Sequence, residues 1–337
     1  MTVEIRVQSV KPLRHTFGHI ARRFGDKPAS RYQEGTYDLQ SEVNHHYKPL
    51  WDPEREIYDT RRTAIVMRDW YALKDPRQHY YGSWTIARAR QQESAERQIE
   101  LVREHDWLRR LGDEARQGVI LGLLPLRHVE WGANTSLGLV AAYGYGTALT
   151  QAVAMGMMDR LGLAQHLSRI GLLLDGQTGA SLKAARTAWL EDAAWQDLRR
   201  EVENLFVRRD PIEVLVAQSL VQDALVDALV LRRFEPAWSG AGGDAAVMAM
   251  LLDFPLRWHE ESARWVDAVV KVMAAESESN RALLRDWADA WRRAFAAALR
   301  PLARRVLGEA AGDAALRQAE DALQTRLARL GLAPDAR

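Results

Sequence analysis

Between Glu130 and Asp159 the chain runs from Trp131 to Met158 without one charged side chain. That run is longer than the roughly 20 residues that span a bilayer, so it belongs either in a membrane or inside a large folded body. It also contains Asn134, Thr135, Ser136, Thr147, Thr150, Gln151 and five glycines. The paired glycines of Tyr143-Gly144-Tyr145-Gly146 predict a break between two helices. Helices that are apolar or small on every side are at home in the interior of a helical protein, and burial is the expected fate of this run.

The surrounding pattern is helical from about Trp84 onward. An amphipathic helix is expected over Ile86–Leu111, then two apolar helices over Leu126–Ala142 and Thr147–Leu174, the second stopped by Asp175-Gly176. Ser181–Val207 carries Trp189, Trp195, Leu198, Val202 and Phe206 at steps mostly of three and four and is expected to form one helix. Asp210-Pro211 pairs a capping residue with proline at the first helical position. The helix it starts is expected to run to about Arg233, before Pro236 and Gly240-Ala241-Gly242-Gly243. Asp244 should cap the next, which reaches about Ala275 with a kink near Pro255. Two further helices follow, marked by Leu283, Leu284, Trp287, Trp291 and Phe295, and by Leu316, Leu323, Leu327 and Leu330. No strand alternation or fixed repeat appears after residue 85, so the fold class is all-α with long helices.

Residues 1–85 read differently, as an extended, aromatic-rich arm, with room for a short helix at Thr60–Leu73, ahead of a helical domain over 86–337. The arm holds twelve of the 27 aromatic residues, among them Trp51, Tyr58, Trp70, Tyr71, Tyr80, Tyr81 and Trp84. Aromatic rings with polar tips and few aliphatics suit a segment lying across a surface, of a partner or of its own domain.

Composition closes several routes. The absence of cysteine excludes disulfides, thiolate zinc sites and cysteine nucleophiles. A net charge of +1 gives no global field toward nucleic acid or anionic membranes. The first residues lack the apolar core of a secretory signal, and a cytoplasmic protein is expected. Gly240-Ala241-Gly242-Gly243 has no strand before it and no Gly-Lys-Ser/Thr after it, so it reads as a linker and not as a phosphate loop. His45-His46 reads as a solvated pair, and His15, His19, His79 and His105 have no carboxylate at a spacing that defines a site.

Carboxylate-bridged diiron bundles take a lone Glu from each of two helices and Glu-x-x-His from each of two others, because i and i+3 share a helix face. Near-versions of that set stand here on the expected helices: Glu130, then Met158-Asp159-Arg160 with Leu163, then Asp223, then Glu260-Glu261-Ser262-Ala263-Arg264. Longer strings carry a specific resemblance: Trp51-Asp52-Pro53, Tyr58-Asp59-Thr60-Arg61-Arg62-Thr63-Ala64-Ile65-Val66-Met67, Asp69-Trp70-Tyr71-Ala72-Leu73-Lys74-Asp75-Pro76-Arg77-Gln78, and Tyr80-Tyr81-Gly82-Ser83-Trp84-Thr85-Ile86-Ala87-Arg88-Ala89-Arg90-Gln91. On these the chain resembles, over essentially its full length, the β subunits of the hydroxylase component of bacterial multicomponent phenol hydroxylases. The related toluene and benzene monooxygenases are the nearest competitors.

The resemblance implies a ferritin-like bundle and a partner α subunit of the same fold that alone carries diiron. It further implies a γ subunit, a dimer of αβγ units, a small effector protein, and a reductase with FAD and a 2Fe-2S cluster. The whole converts phenol to catechol with O2 and NADH. The α pattern is a lone Glu, Met-Asp-Glu-x-x-His, a second lone Glu, and Asp-Glu-x-Arg-His. Laid on this chain, Glu130 matches, the next ligands become Arg160 and Leu163, the second lone Glu falls near Asp223, and Glu261 and Arg264 take the last two places. Two imidazoles and one carboxylate are then gone, which a diiron site needs. The expectation is a non-catalytic chain without metal or cofactor, in which Arg160 and Arg264 neutralise Glu130, Asp223 and Glu261. The competing readings are an autonomous enzyme and a stand-alone helical scaffold.

Overall fold

The computed structural model describes residues 17–43, 48–240 and 245–333. His15, the His45-His46 pair, Tyr47, Ala241-Gly242-Gly243 and the Asp244 cap lie outside the described residues. Every regular element among the described residues is helical.

Two short helices, α1 (Gly18–Phe24) and α2 (Arg31–Thr36), precede two 3-10 turns, Thr60–Arg62 and Trp70–Ala72. The long helices follow: α3 (Tyr81–Glu104), α4 (Asp113–Gly122), α5 (Leu126–Tyr143), α6 (Thr147–Leu174), α7 (Ala180–Glu191) and α8 (Ala193–Phe206). A continuous rod then comprises α9 (Pro211–Leu215), a π-helical stretch Val216–Gln222, α10 (Asp223–Val226), a second π stretch Asp227–Leu231, and α11 (Arg232–Gly240). The chain closes with α12 (Ala245–Glu276), α13 (Glu278–Leu307) and α14 (Glu309–Arg329).

The uncharged run forms the antiparallel pair α5 and α6, broken where the glycines predict. Gly146 turns the chain with φ +85°, and a Cβ there would stand 3.0 Å from the Cβ of Trp70, so only glycine suits both the backbone and the space. Among the described residues one helix, Pro211–Phe234, is long and apolar enough to cross a membrane; most of it is buried inside the fold. Asp210 caps it as expected, accepting from the backbone N–H of Ile212 and Glu213. Its other carboxylate oxygen accepts from Ala64 N at 2.8 Å and so pins the arm.

Four expectations about elements are corrected. The rod passes Arg233 and Pro236 and ends at Gly240. Ser181–Val207 is two helices, because Asp192 leaves helical geometry and caps α8 through Ala194 N. α12 runs unbroken through Pro255. Proline denies a hydrogen bond to the carbonyl four residues back, here Leu251, and the buried His166 on α6 meets that carbonyl through Nε2 at 2.7 Å. Finally, the arm is not merely extended. It carries α1, α2 and both 3-10 turns, and it buries Ile65, Met67, Trp70 and Leu73 in the main core. Ile20, Tyr32, Tyr37, Tyr71 and Ala148 form a smaller core under it.

Candidate functional site

Four elements of the bundle, α5, α6, the rod and α12, carry the charged residues singled out in the sequence. Arg160 is essentially buried, and its Nη1 donates to Glu130 Oε2 at 3.0 Å. Its Nη2 donates to Asp223. The guanidinium lies over the Trp258 ring, 4.5 Å from the centroid. Asp223 also accepts from Gln218 Nε2 at 3.1 Å, a partner one π-turn earlier on the same rod. Burial alone works against the charge on Arg160, but the two carboxylates outweigh it and hold the guanidinium protonated more firmly than in water. Leu163, one helical turn on, is buried and apolar.

A second cluster adjoins the first through the next residue of α6. Asp159 accepts from Arg88 Nη2 at 2.8 Å, Trp84 Nε1 at 3.0 Å and Trp258 Nε1 at 2.9 Å. Arg88 also donates to both oxygens of Glu261, each at 3.0 Å. Glu261 also accepts from Arg77 Nη1 at 2.9 Å and from Gln91 Nε2 at 3.2 Å, while His79 Nε2 stands 3.5 Å away. Burial would raise the Glu261 pKa. Hydrogen bonds from His79 and Arg88, with the attraction of Arg88 and Arg77, hold it well below the usual carboxylate range instead.

The expected network is therefore half correct. Arg160 does bridge Glu130 and Asp223. Glu261 is not in that group: it belongs with Asp159 around Arg88. Arg264 faces solvent and neutralises none of the three acids. Sequence reasoning missed Arg77, Arg88 and His79, which pair with acids on distant helices and leave no local spacing to read. A cavity of about 310 Å³ opens beside Asp223, with His259 and Ser262 among its lining residues.

The aromatic residues named as interface candidates divide similarly. Trp70 and Tyr71 are buried in their own chain, and the Tyr71 hydroxyl accepts from Gln40 N at 3.0 Å. Trp84 serves Asp159. Tyr58 and Tyr80 are half-buried. Trp51 lies edge-on to Tyr143 and keeps 40% exposure, and Tyr81 is 72% exposed. The arm thus spends most of its rings on its own domain.

Residues 51–277 match the model of the family described as Methane/Phenol/Alkene Hydroxylase. The chain is 46% identical to the oxygenase component DmpL of phenol 2-monooxygenase from Pseudomonas sp. (strain CF600), covering 98% of each protein. It is 43% identical to the oxygenase component MhpL of phenol 2-monooxygenase from Acinetobacter pittii, covering 99% of each. Among solved structures it superposes on a chain of phenol hydroxylase from Pseudomonas sp. OX1 with TM-score 0.92 and 42% identity, over 99% of this chain and 100% of that one. A toluene 4-monooxygenase chain superposes with TM-score 0.72 at 20% identity, covering 92% of this chain and 99% of that one, a likeness of fold. The bundle is ferritin-like, and the chain belongs to the methane/phenol/alkene hydroxylase family.

Proposed function

We propose that this chain is the non-catalytic β subunit of a cytoplasmic multicomponent aromatic monooxygenase. In that reading it supports an (αβγ)2 hydroxylase whose α subunit holds diiron and converts phenol to catechol with O2 and NADH. Electrons would come from a reductase carrying FAD and a 2Fe-2S cluster, with a small effector protein as a further partner.

The observation that carries the reading is the guanidinium of Arg160 bonded to both Glu130 and Asp223. A diiron centre does not fit this donor set. Metal would need carboxylates and neutral imidazoles turned inward, and a fixed cation already satisfies the two inward acids. A motif register on α12 shifted by one residue suits the geometry better. Asp159 and Glu261 share Arg88, so Glu261 holds the place of the Asp in Asp-Glu-x-Arg-His. Glu261-Ser262-Ala263-Arg264-Trp265 then follows that pattern with Ser262 and Trp265 at the ligand places; both are buried. An arginine, a leucine, a serine and a tryptophan replace the four paired-motif ligands. No proton or electron transfer is assigned to any of them.

The test is reconstitution. Co-expressed with the α and γ subunits, the chain should co-purify in equal amount with α. Omitting it should abolish phenol hydroxylation in the presence of reductase and effector. Full turnover without the chain, or turnover by the chain alone, would contradict the reading.

A further inference from the structure

Arg127 and His128 stand in the first turn of α5, which contains no acidic residue. Arg186, on α7, is close enough to repel both of them. Among the described residues neither arginine has an ion-pair or hydrogen-bond partner for its side chain. His128 stacks on Trp189 at 5.8 Å, and its Nε2 is buried with no partner. Burial first, and then the two arginines, push the imidazole pKa down to about 4. The N-terminal end of a helix adds its own positive potential. Two guanidiniums and a helix N-terminus thus gather positive charge at this end of α5.

The same helix face continues into apolar surface. Trp131, four residues beyond Arg127 and so one turn along the same stripe, is 56% exposed. Its ring meets Phe206 edge-on at 6.1 Å, and the adjoining Val207 is 76% exposed. Arginine and tryptophan together are the residues that most often dominate binding at protein interfaces, and contiguous exposed apolar groups mark such surfaces.

We infer that the α5 face bearing Arg127 and Trp131, flanked by Arg186 and Val207, docks an acidic segment of a partner subunit of the oxygenase. The segment's carboxylates pair with the two arginines and its apolar side chains cover Trp131. This rests on the β-subunit reading above. A small anion would satisfy the arginines but leave Trp131 and Val207 in water. A second copy of this chain with its two-fold axis through this face would set the same arginines against each other, so an acidic segment of a different chain complements the face better.

The experiment measures the affinity of this chain for the other oxygenase subunits against salt concentration. It compares wild type with R127E/R186E, R127Q/R186Q and W131A. Wild-type association should weaken as salt rises. Charge reversal should weaken it by roughly tenfold or more at low salt and flatten the salt dependence. The glutamine pair should do the same more mildly, and W131A should weaken binding at every salt concentration. Circular dichroism and thermal unfolding of the free variants verify folding, and R127Q/R186Q, which removes the mutual repulsion, should keep a melting temperature equal to or above wild type. Unchanged affinity and salt dependence in all three variants overturns the inference. So does a thermal shift with inorganic phosphate that needs the two arginines while assembly ignores them, since that describes a small-anion site. A wild-type chain that never associates with the oxygenase subunits sinks the β-subunit reading itself; association indifferent to the variants sinks only the docking face.

Discussion

Arg160 contributes by being surrounded: two carboxylates, an indole face and the bundle interior leave its charge nowhere else to go. A buried ion pair adds little to stability against a well-packed apolar replacement, but removing one partner strands the other. Arg160→Ala should therefore cost about 3–5 kcal/mol in equilibrium unfolding, because Glu130 and Asp223 lose their counter-charge together. Replacing all three with apolar side chains of similar volume should restore most of that loss. Equal stability of the single variant and wild type would show that the acids find water or another cation. This cluster was legible through the family resemblance, which lays Glu130, Arg160 and Asp223 on ligand positions that a four-helix bundle brings together. The error at Glu261 and Arg264 has a simple cause. One residue turns a helix by about 100°, so a slip from Ser262 to Glu261 moves the side chain from the Asp223 cavity to the Arg88 cluster.

At the scale of elements, the apolar pair and its break were readable because charge vanishes and glycines mark the turn; α6 begins and ends where expected. Where reading failed, the information was tertiary. The predicted kink at Pro255 overlooked His166, which lies on another helix and meets the carbonyl that the proline leaves without its intrahelical partner. That pairing predicts coupling. His166→Leu should cost about 1–3 kcal/mol by leaving a buried carbonyl unsatisfied. In a Pro255→Ala background the same change should cost distinctly less, because residue 255 can then donate to Leu251. A double-mutant cycle in urea with no interaction between the two sites would refute the arrangement. The break at Asp192 was equally hidden, since the apolar spacing continues through it while the capping bond to Ala194 N does not show in periodicity.

Across the whole molecule, the Arg88 cluster ties residues 75–91 to α6 and α12, so arm and bundle share one electrostatic joint. Its pH dependence has a definite sign. Glu261 has a folded pKa depressed below its ordinary value of 4.5, so the unfolded chain binds the proton more readily. The stability it supplies is present above about pH 4.5 and drains away as pH falls toward the depressed value. Acid should thus loosen the arm, with proteolytic cutting in residues 48–80 rising below that pH. Glu261→Gln should be cut more readily at neutral pH and show a flatter acid response; a variant with the wild-type profile would mean the arm is held by its buried rings alone.

The central claim, that a guanidinium stands where this fold elsewhere could gather metal ligands, is tested most directly by iron content. The full-length chain, loaded anaerobically with Fe(II) and desalted, is measured by mass spectrometry for iron per chain. The account predicts no stoichiometric iron, with wild type and Glu130→Gln indistinguishable. About two irons per chain, lost on changing Glu130 or Asp223, would contradict it and make this chain a metal-binding subunit in its own right.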